Sequence, residues 1–326
     1  MVPSTLKAGD EIRIIAPSRS MAVIKGEQRE IAEDRLKQLG FNVTYGKNIY
    51  DHDEFFSNSI EARVEDLHDA FADRNVKGIL TVIGGYNANQ LLRSIDYELI
   101  RRNPKVFCGY SDITVLNLAI LQKTGLVSYS GPHFSTFGVK AGFEYTQDYF
   151  LKAVTEAKEY TIEASETWSD DAWFLDQDNR TFHKNEGYRI LQEGAAEGTI
   201  IGGNLCTMNL LHGTEYMPSL KDTILFIEDD EESHPLTFDR DLQSVLHLPD
   251  AGGIKAVVIG RFQKESGMTD YALEQIIASK KELNGIPVIA NANFGHVHPF
   301  AAVPIGGRAR IAAKGSKAEI KILNNN

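Results

Sequence analysis

The strongest constraint in this sequence is Gly78-Ile-Leu-Thr-Val-Ile, a nearly continuous apolar run that ends in Gly84-Gly85. A strand that is apolar on both faces must be covered on both, as in a parallel sheet flanked by helices. The neighbouring segments fit that demand. Glu11-Ile-Arg-Ile-Ile-Ala reads as a strand that stops at Pro17-Ser18, and Lys25 to Leu39 has apolar residues at helical spacing. Gly40 stands where a helix C-cap belongs. Phe41 to Tyr45 then reads as a strand, Ile60 to Phe71 as a helix with its charges on one side, and Ala88 to Ile95 as a helix. Lys105 to Tyr110 reads as a strand and Ile113 to Leu121 as a helix. Strand–helix alternation of this kind predicts an α/β fold built on a parallel sheet.

The texture changes between about 135 and 190, where Glu163-Ala-Ser-Glu-Thr-Trp-Ser-Asp-Asp-Ala-Trp accumulates acidic residues, serine and tryptophan with weak periodicity. This stretch is expected to be a connecting segment with a long loop, and loops of that length often serve function. A second folded unit begins near Gly187. Its expected elements are Thr199-Ile-Ile-Gly-Gly-Asn-Leu, a strand Thr223 to Glu228, a helix Phe238 to Leu246 and a strand Ala256 to Gly260. A helix Tyr271 to Ala278, a strand Pro287 to Ala290, a hairpin from Ala309 to Leu323 and a frayed end at Asn324-Asn-Asn complete it.

Charge and cysteine content narrow the partners. With 34 Lys plus Arg against 45 Asp plus Glu, the formal charge is −11, and no basic cluster offsets it. Such a chain is a poor ligand for a polyphosphate backbone, so no polymeric nucleic acid is expected. No apolar run approaches the roughly 20 residues that span a bilayer, and the amino terminus lacks a leader pattern. Cys108 and Cys206 are too few for a disulfide framework, lack metal-ligand spacing and read as plain buried thiols. The expectation is a reduced, cytoplasmic protein without a membrane partner.

Three segments could carry chemistry. In Gly109-Tyr-Ser-Asp-Ile-Thr, Ser111 lies between a strand and a helix, where a tight turn exposes Oγ and the following N–H groups point at its target. The Asp112 N–H would be one oxyanion donor, and the loop Gly84-Gly85-Tyr86 could supply the second. Alternatively, Ser111 is a helix cap and the glycines form a turn. Glu228 ends the apolar run Ile224-Leu-Phe-Ile, where a parallel sheet puts functional groups or simply a solvated charge. His296 follows a strand and Gly295, and can serve as a general base oriented by a carboxylate. His296 and His298 could instead ligate metal, but a lone pair at this spacing is weak evidence for it. A serine, a carboxylate and a histidine spread over both halves predict a composite site between two domains.

Together these segments make the sequence resemble the S66 serine peptidases, the family of LD-carboxypeptidases and microcin C immunity peptidases. The resemblance covers nearly the whole chain and rests on Lys7-Ala-Gly-Asp-Glu-Ile-Arg-Ile-Ile-Ala-Pro-Ser, Gly84-Gly85-Tyr86, Gly109 to Thr114 and Gly131-Pro132. In the second half it rests on Gly202-Gly203-Asn204-Leu205, Leu225-Phe-Ile-Glu-Asp, and Gly295-His296 with Pro299. It implies Ser111 as nucleophile, His296 as base, Glu228 as the orienting acid, no metal or organic cofactor, and a homodimer. It also implies an α/β fold in two domains. The expected division is an N-terminal parallel-sheet domain over 1–160, a connecting segment and substrate loop over 161–188, and a smaller mixed α/β domain over 189–326.

Trp168-Ser-Asp-Asp-Ala-Trp173 and the residues to Gly187 are similar to the microcin C immunity branch, in which an aromatic residue stacks on a nucleobase. Trp173 is favoured slightly over Trp168 for that role, against the alternative that both anchor the loop. Gly84, Tyr86 and Asn204 complete the expected substrate contacts. The expected activity is hydrolysis of the bond between a peptidyl or aminoacyl group and a nucleotide-like moiety. Its rivals are a murein tetrapeptide LD-carboxypeptidase and a non-catalytic two-domain binding protein.

Overall fold

The structure is a computed structural model in which residues 1–324 are described, so Asn325 and Asn326 of the expected frayed end lie outside it. In chain order the first half contains β1 (Glu11–Ile15), α1 (Gly26–Gln38), β2 (Asn42–Tyr45), α2 (Ile60–Ala72), β3 (Val76–Thr81), α3 (Tyr97–Arg102), β4 (Val106–Cys108), α4 (Thr114–Thr124), β5 (Ser128–Ser130) and α5 (Glu144–Thr155). The middle of the chain adds β6 (Tyr160–Thr161), β7 (Thr167–Trp168), β8 (His183–Lys184), β9 (Arg189–Gln192), β10 (Gly194–Asn204), α6 (Leu205–Asn209) and β11 (Thr223–Glu228). It ends with α7 (Pro235–Leu246), β12 (Ile254–Gly260), α8 (Asp270–Ser279), β13 (Val288–Ala292), β14 (Val303–Ile305), β15 (Arg308–Lys314) and β16 (Lys317–Ile322).

The first sheet has six strands in the order β14-β5-β4-β3-β1-β2, parallel except for β14. Its five parallel strands follow the order of a doubly wound sheet, whose switch point between β1 and β3 opens a crevice at the carboxyl ends. The second sheet has eight strands in the order β6-β16-β15-β10-β11-β12-β13-β9. Its centre, β10 to β13, is parallel, and antiparallel strands flank it on both sides. The α/β expectation therefore holds, and the second sheet is mixed. The chain also crosses over between the sheets. β6 pairs with β16 in the second sheet, and β14 returns to pair with β5 in the first.

α4 shows why the two halves are held as they are. Every residue from Thr114 to Ile120 is buried, so the first two turns of the helix have no solvent face, and only the last turn, at Gln122, reaches water. A helix that is apolar all round must be enclosed. It is packed between the first sheet and β10, and the Asn204 N–H at the end of β10 donates to Thr114 Oγ1 at 3.0 Å. The core cluster runs without a break from Phe107 and Leu116 through Ile200 to Ile227 and Val258.

Several expected elements are corrected. The helix expected over Ala88–Ile95 is one short 3-10 turn, Ala88–Leu91, followed by an irregular bend and then α3. The stretch between 135 and 190 is not all loop. Thr146, Tyr149, Phe150 and Val154 recur at helical spacing on the buried face of α5. Cys206 is exposed on the short helix α6, whose buried positions are Leu205 and Met208, while Cys108 is buried, and both are free thiols. No helix among the described residues is long and apolar enough to cross a membrane.

Leu116 is completely buried between the sheets. Leu116→Ala is expected to lower the unfolding free energy by about 2–5 kcal/mol, the range for a cavity in a packed core. Urea unfolding checks this value.

Candidate active site

Loops from the carboxyl ends of both sheets converge on one cavity of about 280 Å³. The first sheet contributes Arg19 after β1, Ile83 to Tyr86 after β3, Tyr110 and Ser111 after β4, and His133 and Ser135 after β5. The second contributes Asp230 to Glu232 after β11, Gln263 after β12, and His296 and His298 after β13. Residues 170–174 of the connecting segment close the remaining side.

Ser111 has φ +59°. For a residue with a side chain, that left-handed backbone costs about 1–3 kcal/mol and persists only where the surroundings enforce it. Ser111 opens the 3-10 turn Ser111–Ile113 that leads into α4. Tyr110 occupies the cap position and no side chain caps the turn, so Ser111 is not a helix cap. A Cβ on Gly84 would stand 2.9 Å from both Cβ and Oγ of Ser111 and 3.5 Å from the Asp112 nitrogen. Only glycine leaves that space open. Among the described residues, the N–H groups of Gly85 and Asp112 donate to no other backbone group.

Glu228 and His296 meet across the second sheet. His296 Nδ1 lies 2.7 Å from Glu228 Oε2, and the side chains are 17% and 2% exposed. The imidazole thus has one nitrogen on a buried carboxylate while the ring borders the cavity. Gly295, at φ +102°, makes this approach possible, because a Cβ there would lie 2.4 Å from Glu228 Oε2. Burial pushes the His296 pKa down. The charge of Glu228 and its hydrogen bond outweigh burial and raise it to about 9. The Tyr110 ring packs 5.0 Å from His296, 4.4 Å from His133 and 4.9 Å from Phe300.

The remaining expected contacts divide. Tyr86 lines the cavity, and its hydroxyl donates to Glu232 Oε1 at 2.5 Å, joining the glycine loop to the loop after β11. Trp173 also lines the cavity, and its indole N–H donates to His298 Nε2 at 3.1 Å. Burial pushes His298 down to about 3, so it accepts that bond as neutral imidazole. Trp168 is not brought here. It pairs with His183 in β7–β8 and lines a different cavity. Asn204 is not in the cavity wall either. Its Oδ1 caps α6 by accepting from the Thr207 N–H at 2.9 Å, and its Nδ2 donates to Asp229 Oδ1 at 3.2 Å. Among the described residues no group of three or more His, Cys, Asp and Glu is placed to hold a metal ion. His298, weighed above as a ligand, binds Trp173 instead.

Sequence reasoning did not single out Arg19, Tyr110, His133, Asp170, Glu231 or Gln263 as cavity residues. Only the loop starts after apolar strands hinted at some of them. Four lining carboxylates, Asp170, Asp230, Glu231 and Glu232, form no ion pair among the described residues, whereas Asp171 accepts from Arg180 Nε at 2.7 Å. Arg19 is the single lining cation besides histidine, and it lies over the Tyr86 ring at 5.2 Å. The cavity is therefore acidic around the His296 side.

Comparison with known proteins follows the same two halves. The family model described as LD-carboxypeptidase N-terminal domain matches residues 12–131, and that described as LD-carboxypeptidase C-terminal domain matches 197–311. A Bacillus subtilis (strain 168) protein named as a carboxypeptidase, YocD, is 55% identical over 322 residues, covering 99% of each chain. The Escherichia coli microcin C7 self-immunity protein MccF is 30% identical, covering 95% of this chain and 93% of its own. An MccF-like protein from Bacillus anthracis (strain Ames) superposes with a TM-score of 0.98 at 54% identity, covering 99% of both chains. MccF in complex with aspartyl sulfamoyl adenosine superposes with a TM-score of 0.89 at 29% identity, covering 99% and 98%.

A histidine held above its unfolded pKa of about 6.5 adds stability that is complete below about pH 6.5 and is lost as pH rises through about 9. The expected outcome is a His296 imidazole that titrates near pH 9 by NMR. In Glu228→Gln it should titrate lower, because the opposing charge is gone. An unshifted titration in that variant would contradict the electrostatic cause.

Proposed function

The chain belongs to the LD-carboxypeptidase family and is a serine-type carboxypeptidase, and from that premise we propose that Ser111, His296 and Glu228 form its catalytic triad. We further propose that it hydrolyses the amide-type bond between a peptidyl or aminoacyl group and a nucleotide-like moiety. The observation that carries the reading is the 2.7 Å bond from Glu228 to His296 at the wall of a cavity that Ser111 also lines. Ser111 Oγ attacks the carbonyl carbon while His296 Nε2 takes its proton. The same proton then goes to the departing nitrogen as the C–N bond breaks, leaving an acyl-enzyme. Water, deprotonated by His296, attacks the acyl carbon, and as the acyl C–O bond breaks His296 gives that proton to Ser111 Oγ, restoring the free serine and the neutral base. Glu228 holds the ring and balances its positive charge. The Asp112 and Gly85 N–H groups are the proposed donors to the oxyanion, a role typically worth about 3–4 kcal/mol per donor.

A base with a pKa of about 9 rests protonated at neutral pH, so its reactive form is the minority species there. Turnover is accordingly expected to climb from pH 7 towards pH 9. Trp173, anchored by His298, is the proposed platform for the nucleobase-like part, with Gly84 and Tyr86 beside the scissile bond. The aspartyl sulfamoyl adenosine bound by MccF supports that class of substrate. A second reading, a murein tetrapeptide carboxypeptidase, is favoured by the four unpaired carboxylates of the wall. They suit a substrate with a free amine such as a lysine or diaminopimelate centre. A non-catalytic binder has no comparable support, since it would have no use for strain at Ser111. The resemblance to the family also supports a cytoplasmic homodimer, and a single-chain mass in sedimentation equilibrium would remove the dimer from the proposal.

The deciding experiment incubates the purified protein with an aminoacyl sulfamoyl adenosine and with a murein tetrapeptide, using Ser111→Ala as blank. Cleavage of the first supports the nucleotide reading, and cleavage of the tetrapeptide alone transfers the protein to the second. Ser111→Ala and His296→Ala are each expected to lower kcat by at least about a thousandfold, with the double variant hardly worse. Either variant within tenfold of the parent would sink the triad. Trp173→Ala should raise KM for the adenosine compound about tenfold, as loss of one stacked base does, and leave the tetrapeptide little affected.

A further inference from the structure

We propose that a second cavity, walled by Trp168, Arg261 and Lys264, is an anion subsite that takes a phosphate or carboxylate group. It measures about 440 Å³ and adjoins the Ser111 cavity, with Gln263 in the wall of both. The Arg261 guanidinium stands 4.9 Å from the Trp168 ring and the Lys264 ammonium 5.0 Å from it. Arg261 Nη2 donates to Asn185 Oδ1 at 2.6 Å, and Lys264 Nζ donates to His183 Nε2 at 2.6 Å. Neither partner is a carboxylate.

Among the described residues, neither cation forms an ion pair. The carboxylates in the same wall are engaged elsewhere, Glu186 with Lys184 at 3.2 Å and Asp270 with Arg189 at 2.9 Å. Arg261 is half-buried, and burial pushes its pKa below the ordinary guanidinium value. The carboxylate that acts on Arg261 from a distance is Asp270, which is itself paired with Arg189. A desolvated Arg261 is thus left without a direct counter-charge, at a cost that an anion reaching it offsets through charge-assisted bonds. The planar fork of Arg261 can hold two oxygens of a carboxylate or phosphate at once, with Lys264 adding a point charge. Gln263 Oε1 is buried without a partner at the boundary between the cavities. Its amide Nε2 reaches Glu231 Oε2 only at 3.4 Å.

The sign of the wall is opposite to that of its neighbour, where Asp170, Asp230, Glu231 and Glu232 stand against Arg19 alone. The assignment does not rest on the reaction proposed above, since Ser111 and His296 are not in this wall. Its failure and the failure of the triad are therefore separable.

The chain has two tryptophans, so full-length Trp173→Phe leaves Trp168 as the sole indole reporter. Its emission would be titrated with inorganic phosphate and, separately, with succinate, at ionic strength held constant with sodium chloride. The expected result is a saturable change that weakens at least about tenfold in Arg261→Gln and in Lys264→Gln, as loss of a charged hydrogen-bond partner does. Lys264 is solvent-exposed, so its variant tests the site even if Arg261→Gln disturbs the packing of Asn185. Saturation by phosphate alone assigns a phosphoryl group, by succinate alone a carboxylate, and by both a general anion site. No saturable change with either anion, or equal affinity in Lys264→Gln, overturns the proposal.

Discussion

The buried carboxylate of Asp112 holds the first-sheet side of the cavity together. It is 2% exposed, and its Oδ2 accepts from Ser18 Oγ at 2.5 Å and from the Ala88 N–H at 2.9 Å. One residue after Ser111 therefore binds the loop that follows β1 and the end of the loop that follows β3. Arg63, also buried, braces the same corner through the Pro17 carbonyl at 3.2 Å and Asn87 Oδ1 at 2.9 Å. Burial raises the pKa of Asp112, and its hydrogen bonds and the Arg63 charge work against that rise. A fully satisfied buried network of this kind rigidifies what it joins. It supplies the constraint that a left-handed Ser111 requires.

The second-sheet side is ordered by different means. β10 and β11 end at neighbouring positions, Asn204 opposite Glu228, and their loops diverge there. Asp229 turns inward to accept from Ser233 Oγ at 2.8 Å, and Glu228 turns to His296. Burial and the adjacent Glu228 charge push Asp229 up to about 7. Asn204, whose backbone N–H donates to Thr114 Oγ1, links this corner to α4 and hence to Ser111. The two halves of the cavity thus meet through the buried first two turns of α4.

Much of this was legible because strands in a parallel sheet are apolar runs and their carboxyl ends gather in space. Ser111 and His296 each follow such a run and line one cavity, while Glu228 ends another and meets His296 behind the wall, so their approach could be expected before the fold was seen. The connecting segment was harder. Trp168 and Trp173 are five positions apart, and which one reaches the cavity depends on the ion pair of Asp171 with Arg180 within the loop and on the Trp173–His298 bond, formed between residues 125 positions apart. Asn204 belongs to a glycine-rich motif that invites a substrate role, but locally it is a helix cap, an everyday use of asparagine. Cys206 sits among apolar neighbours in sequence, yet a five-residue helix has an outer side that a one-dimensional reading does not reveal. Tyr110 and His133 gained their places by stacking, which leaves no periodic trace.

The return of β14 to the first sheet bears on how the molecule is made. Residues 303–305 supply an edge to β5 that the first 160 residues cannot provide, and Tyr160–Thr161 already belong to the other sheet. A growing chain emerging from the ribosome therefore carries the Ser111 half with one rim unpaired while the rest is translated. Exposed rims are where strands of different molecules join. The antiparallel β14 covers that edge only once residues 303–305 have been made, after the parallel centre of the second sheet, so the first half waits on a segment that lies beyond most of its neighbour.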